Sequence, residues 1–236
     1  MKISADFVTS AAGASGLPGE HLSEIALVGR SNVGKSSLIN ALTRQRLART
    51  SAAPGKTRLV NVYRVARGNA RPFYLVDLPG YGYARGGSDS AREFAELTRG
   101  YYERVRGRSV RLEPEEDAGR HQADKEDVGV LLLVDPRHPG IDSDRDAWNW
   151  LKATVAEPAI VATKIDKLAR GQRIRALREL ESVFEHSVLP VSAVTGEGLD
   201  ELWNLIDRLA NSPNPQPRRN RSPRPPRATA PRPPKK

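Results

Sequence analysis

The feature that most constrains this chain is a glycine-rich loop at residues 29–36. It fits the Gly-x-x-x-x-Gly-Lys-Ser/Thr pattern of a P-loop. The glycines let backbone N–H groups approach phosphate closely, while Lys35 supplies a cation and the Ser36 hydroxyl can ligate Mg²⁺. The alternative is a glycine-containing turn that binds nothing. The flanking segments favour the P-loop, because residues 24–28 predict a buried strand and residues 37–42 predict a helix whose N-terminus faces the phosphates.

Short apolar segments alternate with segments of helical periodicity along the rest of the chain. This alternation predicts an α/β fold of the P-loop NTPase, small-GTPase-like kind, with helices on both faces of a mostly parallel sheet and one antiparallel edge strand. The antiparallel pair is expected where a short connection joins two strands. Further strands are predicted at 58–65, 72–77, 128–135, 159–163 and 188–191, and helices around 94–105, 142–151 (capped by residues 142–144), 174–184 and 199–209.

Charge and proline divide the chain unevenly. Residues 211–236 contain eight Lys or Arg, no acids and nine of the 18 prolines, so they account for most of the formal net charge of +10. We expect a disordered basic tail that attracts polyanions, the alternative being a solvated, linker-like terminus. Residues 113–127 are expected to be an acidic surface insertion, with an ordinary long loop as the favoured alternative. Residues 1–22 are expected to be a lead-in with one possible short strand.

Composition excludes some kinds of site and indicates a cellular location. The chain has no cysteine, which excludes disulfides and cysteine-based metal or redox sites, and its four histidines show no metal-binding spacing. No signal peptide or membrane span is visible, so a cytoplasmic location is expected. We also expect a monomer.

Beyond the P-loop helix, three separate residues occupy positions that a nucleotide switch requires. Thr57 follows a polar, Gly/Pro-containing loop and could place a second hydroxyl on Mg²⁺; alone, it would be an ordinary strand-start threonine. Asp77 ends an apolar strand and can reach the Mg²⁺ shell. Gly80 can offer its N–H to a γ-phosphate, the alternative being a simple Pro-Gly turn.

Two later segments predict guanine recognition. Asp166 follows a buried strand, and its carboxylate can accept hydrogen bonds from N1–H and the 2-amino group of guanine, donors that adenine lacks. The stem of Lys164 can lie along the base. Ser192-Ala193 follows the last predicted strand, where a backbone N–H could meet guanine O6.

Taken together, five motifs resemble the EngB (also YihA or YsxC) family of bacterial GTPases, in the TrmE-Era-EngA-EngB-Septin-like group. They are the P-loop, Pro-Gly-Lys-Thr-Arg at 54–58, Asp-Leu-Pro-Gly-Tyr-Gly-Tyr-Ala at 77–84, Arg-His-Pro at 137–139 and Thr-Lys-Ile-Asp-Lys at 163–167. The resemblance covers roughly residues 3–210. It implies an EngB-type G domain at 23–210 that hydrolyses GTP to GDP and phosphate, assists large ribosomal subunit assembly through the subunit or its rRNA, and is needed for cell division and septum formation.

The resemblance also implies a set of site residues. Mg²⁺ would be held by Ser36 and Thr57, and catalysis would rest on Lys35, Thr57 and Gly80. The implied GTP contacts are Gly29, Arg30, Ser31, Asn32, Val33, Gly34, Lys35, Ser36, Gly55, Lys56, Thr57, Arg58, Leu59, Asp77, Leu78, Pro79, Gly80, Thr163, Lys164, Ile165, Asp166, Val191, Ser192 and Ala193.

Two residues in these motifs bear on the mechanism of hydrolysis. Tyr81 follows Gly80 where many GTPases carry a water-orienting glutamine, so we predict slow intrinsic hydrolysis and a timed switch. Asn32 occupies the position of the asparagine in potassium-activated GTPases, so K⁺ is a candidate cofactor. An alternative function of another class is a non-catalytic scaffold, stabilised by nucleotide, that acts through a division-protein or RNA partner.

Overall fold

The computed structural model describes residues 1–12, 16–20, 22–49, 59–81, 98, 100, 101, 103, 104, 128–155 and 157–211. Within these residues the chain alternates strands and helices. The strands are β1 (Ile3–Ala11), β2 (Glu24–Gly29), β3 (Val60–Arg67), β4 (Phe73–Asp77), β5 (Val128–Val134), β6 (Pro158–Ala162) and β7 (Val188–Pro190). The helices are α1 (Lys35–Thr43), α2 (Asp142–Thr154), α3 (Arg170–Phe184) and α4 (Leu199–Asn211), with a short 3₁₀ turn at Ile165–Lys167.

The seven strands form one sheet in the order β1-β3-β4-β2-β5-β6-β7. Strands β4, β2, β5, β6 and β7 pair in parallel, whereas β3 runs antiparallel to both of its neighbours. The central strands β2, β4 and β5 are buried almost throughout, as continuous apolar segments in a covered parallel sheet should be. The predicted fold class is confirmed. In addition, β1 pairs with the outer side of β3 and forms the edge of the sheet.

Strand β1 turns the predicted lead-in into part of the sheet. It is nine residues long and pairs with β3 from Ile3 to Ala11, with a register shift between Phe7 and Thr9. Most of its residues are exposed or half-buried, which explains why the sequence predicted only one possible short strand here. The ring of Phe7 packs edge-on against Tyr63 of β3 at 5.8 Å.

Helices cover both faces of the sheet. Leu38 of α1 and Ile206 of α4 belong to one buried core, and Trp148 of α2 and Phe184 of α3 belong to the other. In α3 the predicted apolar face is narrower than expected, because Ile174 is 47% exposed.

The amino end of the sheet is tied together by polar contacts. The Ser23 hydroxyl, just before β2, donates to the carbonyl of Ala210 near the end of α4, at 2.8 Å. The buried Glu24 carboxylate accepts from the Tyr101 hydroxyl and from Arg104, both at 2.6 Å. Arg67 of β3 forms an ion pair with Asp207 of α4. These contacts leave the opposite, carboxyl end of the parallel strands as the place where the predicted motifs converge.

Several predictions fall outside the described residues. They concern residues 50–58, including Thr57, the loop after Tyr81, most of the helix around 94–105, the acidic insertion at 113–127, and the tail after residue 211. Among the helices that the structure describes, none combines the length and the apolar character needed to cross a membrane.

Candidate functional site

The P-loop forms a close turn between β2 and α1. Gly29 has no room for a side chain, because a Cβ there would lie 2.8 Å from the Leu133 carbonyl oxygen. Gly34 precedes α1 with φ at +117°, a left-handed conformation that glycine adopts without steric cost. Asn32 also has positive φ, at 63°. The backbone thus wraps before the helix begins and directs the helix N-terminus into the turn.

Lys35 and Asp77 bring two opposite charges into a dry part of this turn. Lys35 is 9% exposed, and its Nζ donates to the Gly29 carbonyl at 3.2 Å. Burial lowers the pKa of Lys35, and the negative charge of Asp77 opposes that shift. Burial likewise raises the pKa of Asp77 to about 6, although Lys35 and a hydrogen bond from Asn61 work against it. Both groups therefore carry an electrostatic cost within the protein alone.

Asp77 also leaves one oxygen without a protein partner. Its side chain is buried at the end of β4, and Oδ1 makes no hydrogen bond with the protein atoms that the structure describes. A buried unpaired carboxylate oxygen is costly, and a hydrated cation would satisfy it. The Ser36 hydroxyl lies in the first turn of α1, so the donors of this corner fit Mg²⁺.

A second corner joins the ends of β6 and β7. The Val191 N–H donates to the Ala162 carbonyl at 2.8 Å, which places Ser192 beside the residues after β6. The fully buried Ser192 donates from Oγ to Asp166 Oδ1 at 2.7 Å. This hydrogen bond, helped by Lys167, lowers the pKa of Asp166. The Asp166 carboxylate is thereby held ionised as an acceptor, which is the state that its predicted role requires.

The two corners are joined by direct contacts. The Thr163 hydroxyl donates to the Val33 carbonyl at 2.7 Å, and Lys164 Nζ donates to the Asn32 carbonyl at 2.5 Å. Lys164 itself has a left-handed backbone with φ of 55°. The predicted P-loop and the predicted Thr-Lys-Ile-Asp motif, 130 residues apart, therefore form one continuous site.

Asp135 is a member of this site to which the sequence assigned no role. It follows β5, and its carboxylate accepts from Arg137 Nη2 at 2.7 Å and from Lys164 Nζ at 3.3 Å. Although burial opposes ionisation, the hydrogen bonds from Arg137 and the charge of Lys164 lower the pKa of Asp135 to about 2. Asp135 therefore orients Lys164 across the P-loop. The signal that could have identified it is its position, next to the Arg-His-Pro motif and at the end of a buried strand.

The residues after β4 lie directly against the P-loop. A Cβ on Gly80 would stand 2.7 Å from the backbone nitrogen of Ser31, so only glycine fits there. The Ser31 N–H donates to the Tyr81 carbonyl at 3.0 Å. The phenol of Tyr81 points away from this contact and donates to Asp144 Oδ1 at 2.8 Å.

Asp144 is the second functional candidate that sequence reasoning missed. The segment 142–144 was predicted to cap α2, but the residue before the helix is Ile141 and no side chain makes a cap hydrogen bond. Asp144 instead lies 2% exposed, with its Oδ1 3.2 Å from Arg30 Nε. Its partners are Arg30 on the P-loop and Tyr81 after β4, both more than 60 positions earlier in the chain.

The described part of the predicted site is thus assembled at one end of the sheet. It holds residues 29–36, 77–80, 163–166 and 191–193. Leu59, just before β3, is 40% exposed. Residues 55–58 lie outside the described residues, so the predicted second Mg²⁺ ligand, Thr57, stays a prediction.

The sequence is similar to those of known GTP-binding proteins. The model of the 50S ribosome-binding GTPase family matches residues 24–164. The chain is 41% identical over 214 residues to the probable GTP-binding protein EngB of Pelotomaculum thermopropionicum, covering 88% of this chain and 96% of that protein. It is 37% identical over 213 residues to the same protein of Desulforamulus reducens, covering 88% and 93%.

Solved structures show the same fold at lower identity. The crystal structure of a probable GTP-binding protein EngB has a TM-score of 0.54 at 20% identity and covers 80% of this chain and 98% of that one. Aquifex aeolicus Era bound to GDP and AlF₄⁻ has a TM-score of 0.61 at 21% identity over 84% of this chain. The chain spans 60% of that Era protein.

The family model covers more than half of the chain, and relatives near 40% identity extend over almost all of their own length. With the P-loop geometry described above, these matches show that the chain belongs to the EngB family of GTP-binding proteins and is a GTP-hydrolysing enzyme.

Proposed function

We propose that GTP binds across the two joined corners at the carboxyl end of the sheet. The P-loop backbone and Lys35 would take the phosphates, and Asp166 would accept from N1–H and the 2-amino group of guanine. The Ala193 N–H would meet guanine O6, since the Ser192 N–H already donates to Glu197. What supports this assignment is the charge pattern: a buried cation lies at one corner and a fixed carboxylate acceptor at the other.

We further infer that the phosphate corner holds Mg²⁺. Ser36 and Thr57 would be its protein ligands, and the unpaired Oδ1 of Asp77 would accept from its hydration shell. When bound, Mg²⁺ neutralises charge on the β- and γ-phosphate oxygens. Lys35 performs the same task from the protein side, while Gly80 would donate its N–H to the γ-phosphate.

Hydrolysis would be slow without a partner. Tyr81 occupies the place of a water-orienting glutamine, and its phenol is engaged with Asp144 on the far side of the backbone. Catalysis would then rest on positioning and charge neutralisation by Lys35, Thr57 and Gly80. A single-turnover assay on the isolated protein tests this: we expect slow conversion of GTP to GDP and phosphate, and fast conversion would contradict it.

The proposed role is a switch in large ribosomal subunit assembly, with the effects on cell division and septum formation following from it. The observation that carries this proposal is the match of residues 24–164 to the 50S ribosome-binding GTPase model. We propose residues 23–210 as the G domain, 1–22 as its lead-in, 113–127 as an acidic surface insertion and 211–236 as a disordered polyanion-binding tail. The protein would act as a cytoplasmic monomer.

Co-sedimentation with purified large ribosomal subunits tests this role. Binding would be compared with a non-hydrolysable GTP analogue, with GDP and with no nucleotide, for the full chain and for a variant lacking residues 211–236. We expect binding with the GTP analogue alone, and a weaker salt dependence without the tail. Binding indifferent to nucleotide would favour the alternative scaffold role, which membership in a GTP-hydrolysing family makes the weaker candidate.

The K⁺ prediction has its own test. Asn32 is exposed and holds the left-handed turn of the P-loop, with its carbonyl bonded to Lys164. If Asn32 helps to hold K⁺ beside the phosphates, GTP hydrolysis is faster in KCl than in NaCl, and Asn32→Ala removes the difference. Equal rates in the two salts would refute it.

A further inference from the structure

One buried polar network near the nucleotide site is not used by the mechanism above. It consists of Arg30, Asp144 and Tyr81, and we call it the Arg30–Asp144–Tyr81 network. Asp144 Oδ1 accepts from the Tyr81 hydroxyl at 2.8 Å and lies 3.2 Å from Arg30 Nε. Asp144 is 2% exposed and Tyr81 is 5% exposed, so water screens their hydrogen bond little. The Arg30 side chain is 22% exposed, and its Nε faces Asp144 as an ion-pair partner without a hydrogen bond among the described protein atoms.

The network is costly to open. Burial raises the pKa of Asp144, while the charge of Arg30 and the Tyr81 hydrogen bond oppose that rise. Burial and the neighbouring Asp144 raise the pKa of Tyr81 well above its ordinary value, so the phenol stays a donor. Removing the Tyr81 hydroxyl would take the hydrogen-bond donor from the buried Asp144 Oδ1, which typically costs more than the net value of the bond itself. Such a network has one preferred arrangement.

Tyr81, whose hydroxyl is bound by Asp144, also contacts the P-loop through its backbone. The Tyr81 carbonyl accepts from the Ser31 N–H at 3.0 Å, and the Gly80 carbonyl accepts from the Ser31 hydroxyl at 3.3 Å. Arg30 and Tyr81 form an isolated parallel bridge. The backbone at residues 80–81 is therefore held at two points, by α2 through the phenol and by the P-loop through the main chain.

We propose that Asp144 is a positioning residue for nucleotide discrimination: through Tyr81 and Arg30 it holds Gly80 against the P-loop, where the γ-phosphate is recognised. The inference rests on the proposed contact between Gly80 and the γ-phosphate. Loss of the network lets the backbone at 80–81 move away from Ser31. GTP binding then suffers more than GDP binding, because GDP has no γ-phosphate for Gly80 to contact.

The test compares affinities for a non-hydrolysable GTP analogue and for GDP, measured by fluorescence titration with Mg²⁺. Tyr81→Phe keeps the ring and removes only the donor, and Asp144→Asn keeps the shape and removes the charge. We expect each to weaken the analogue about five- to tenfold while GDP affinity changes less than twofold. The double variant should lose no more than the larger single loss, since both changes open one network.

Asp146→Asn is the matched control, because Asp146 is an exposed acid on the same helix. It should leave both affinities unchanged, and thermal melting of each variant reports folding separately from the affinity ratio. Gly80→Ala is the positive control: its Cβ would stand 2.7 Å from the Ser31 nitrogen, so the variant keeps the N–H at position 80 but must displace it from the P-loop. If Gly80→Ala lowers the analogue-to-GDP ratio but neither network variant does, the role of Asp144 is overturned. If Gly80→Ala also leaves the ratio unchanged, the γ-phosphate contact is wrong and the inference falls with it.

Discussion

The two corners of the proposed nucleotide site differ in how far the protein itself pairs their buried polar groups. At the base corner, Asp166 accepts from Ser192, and its pKa is lowered by that hydrogen bond. At the phosphate corner, Asp77 keeps an unpaired buried oxygen and a pKa raised to about 6 by burial. Lys35, buried beside it, has a lowered pKa for the same reason.

This difference separates two kinds of preorganisation. At the base corner the proposed guanine acceptor, Asp166, is already held in place by the protein itself. The phosphate corner stores unfavourable electrostatics that Mg²⁺ and phosphate would relieve on binding. Changes at the phosphate corner should therefore alter affinity and stability, whereas changes at the base corner should alter which base is chosen.

The largest expected effect comes from removing the buried cation. Lys35→Met conserves much of the side-chain volume but loses the charge, and we expect GTP and GDP to bind at least about 100-fold more weakly. The preference for guanine over other bases should persist in the residual binding, since Asp166 is untouched. Isothermal titration with GTP, ATP and xanthosine triphosphate measures both quantities. A changed base preference would show that the corners are not separable.

Next in size is the reciprocal change at the base corner. Asp166→Asn replaces one acceptor oxygen by an amide donor, which faces the 2-amino group of guanine unfavourably but complements the 2-oxo group of xanthine. We expect GTP affinity to fall about 100-fold and xanthosine triphosphate affinity to rise by a similar factor. Competition binding with the two nucleotides tests this. Equal loss for both would mean that Asp166 does not face the base.

Asp77→Asn tests the stored electrostatics through stability. An unfolded Asp has a pKa of 3.8, and the folded pKa is about 6, so the folded state binds the proton more tightly. This contribution is full below pH 3.8 and is lost as pH rises through 6. In nucleotide- and Mg²⁺-free protein, the unfolding free energy of the Asn variant should therefore rise relative to that of the wild type by on the order of 1 kcal/mol between pH 5 and pH 7.5.

Denaturant unfolding at several pH values measures this gain. Asp166→Asn is the matched control: its lowered pKa places any pH-dependent contribution below this window, so its difference from the wild type should be constant. A constant difference for Asp77→Asn as well would show that Asp77 carries no electrostatic cost.

The smallest expected effect sharpens the role of the base corner. Ser192→Ala removes the hydroxyl that donates to Asp166 and accepts from the Val194 and Thr195 N–H groups. We expect GTP and GDP to weaken equally, by about five- to tenfold, because the acceptor is less well held. Thr195→Ala in the same exposed loop should have little effect. Unequal losses for GTP and GDP would tie Ser192 to the phosphates.

The sequence predicted the fold because the strands and helices follow local patterns, and the predicted motifs that the structure describes meet at one end of the sheet, while their roles stay predictions. The continuous apolar segment of β5 predicted a central parallel strand, and the observed strand spans Val128–Val134. Asp144 was missed because an acidic residue near a helix start has the same local appearance whether it caps the helix or is buried. Its true partners, Arg30 and Tyr81, are brought near only by the folded sheet. Strand β1 was underestimated because an edge strand buries few of its residues.

The Ser23–Ala210 hydrogen bond has a consequence for access. It fixes the end of α4 beside the start of β2, whereas the P-loop begins where β2 ends. Six residues of extended strand separate these two points, a span of about 20 Å. The described chain therefore ends near the amino end of the sheet, whereas the proposed nucleotide site lies at the carboxyl end. A partner that contacts the end of α4 would leave the entrance to the proposed GTP site uncovered.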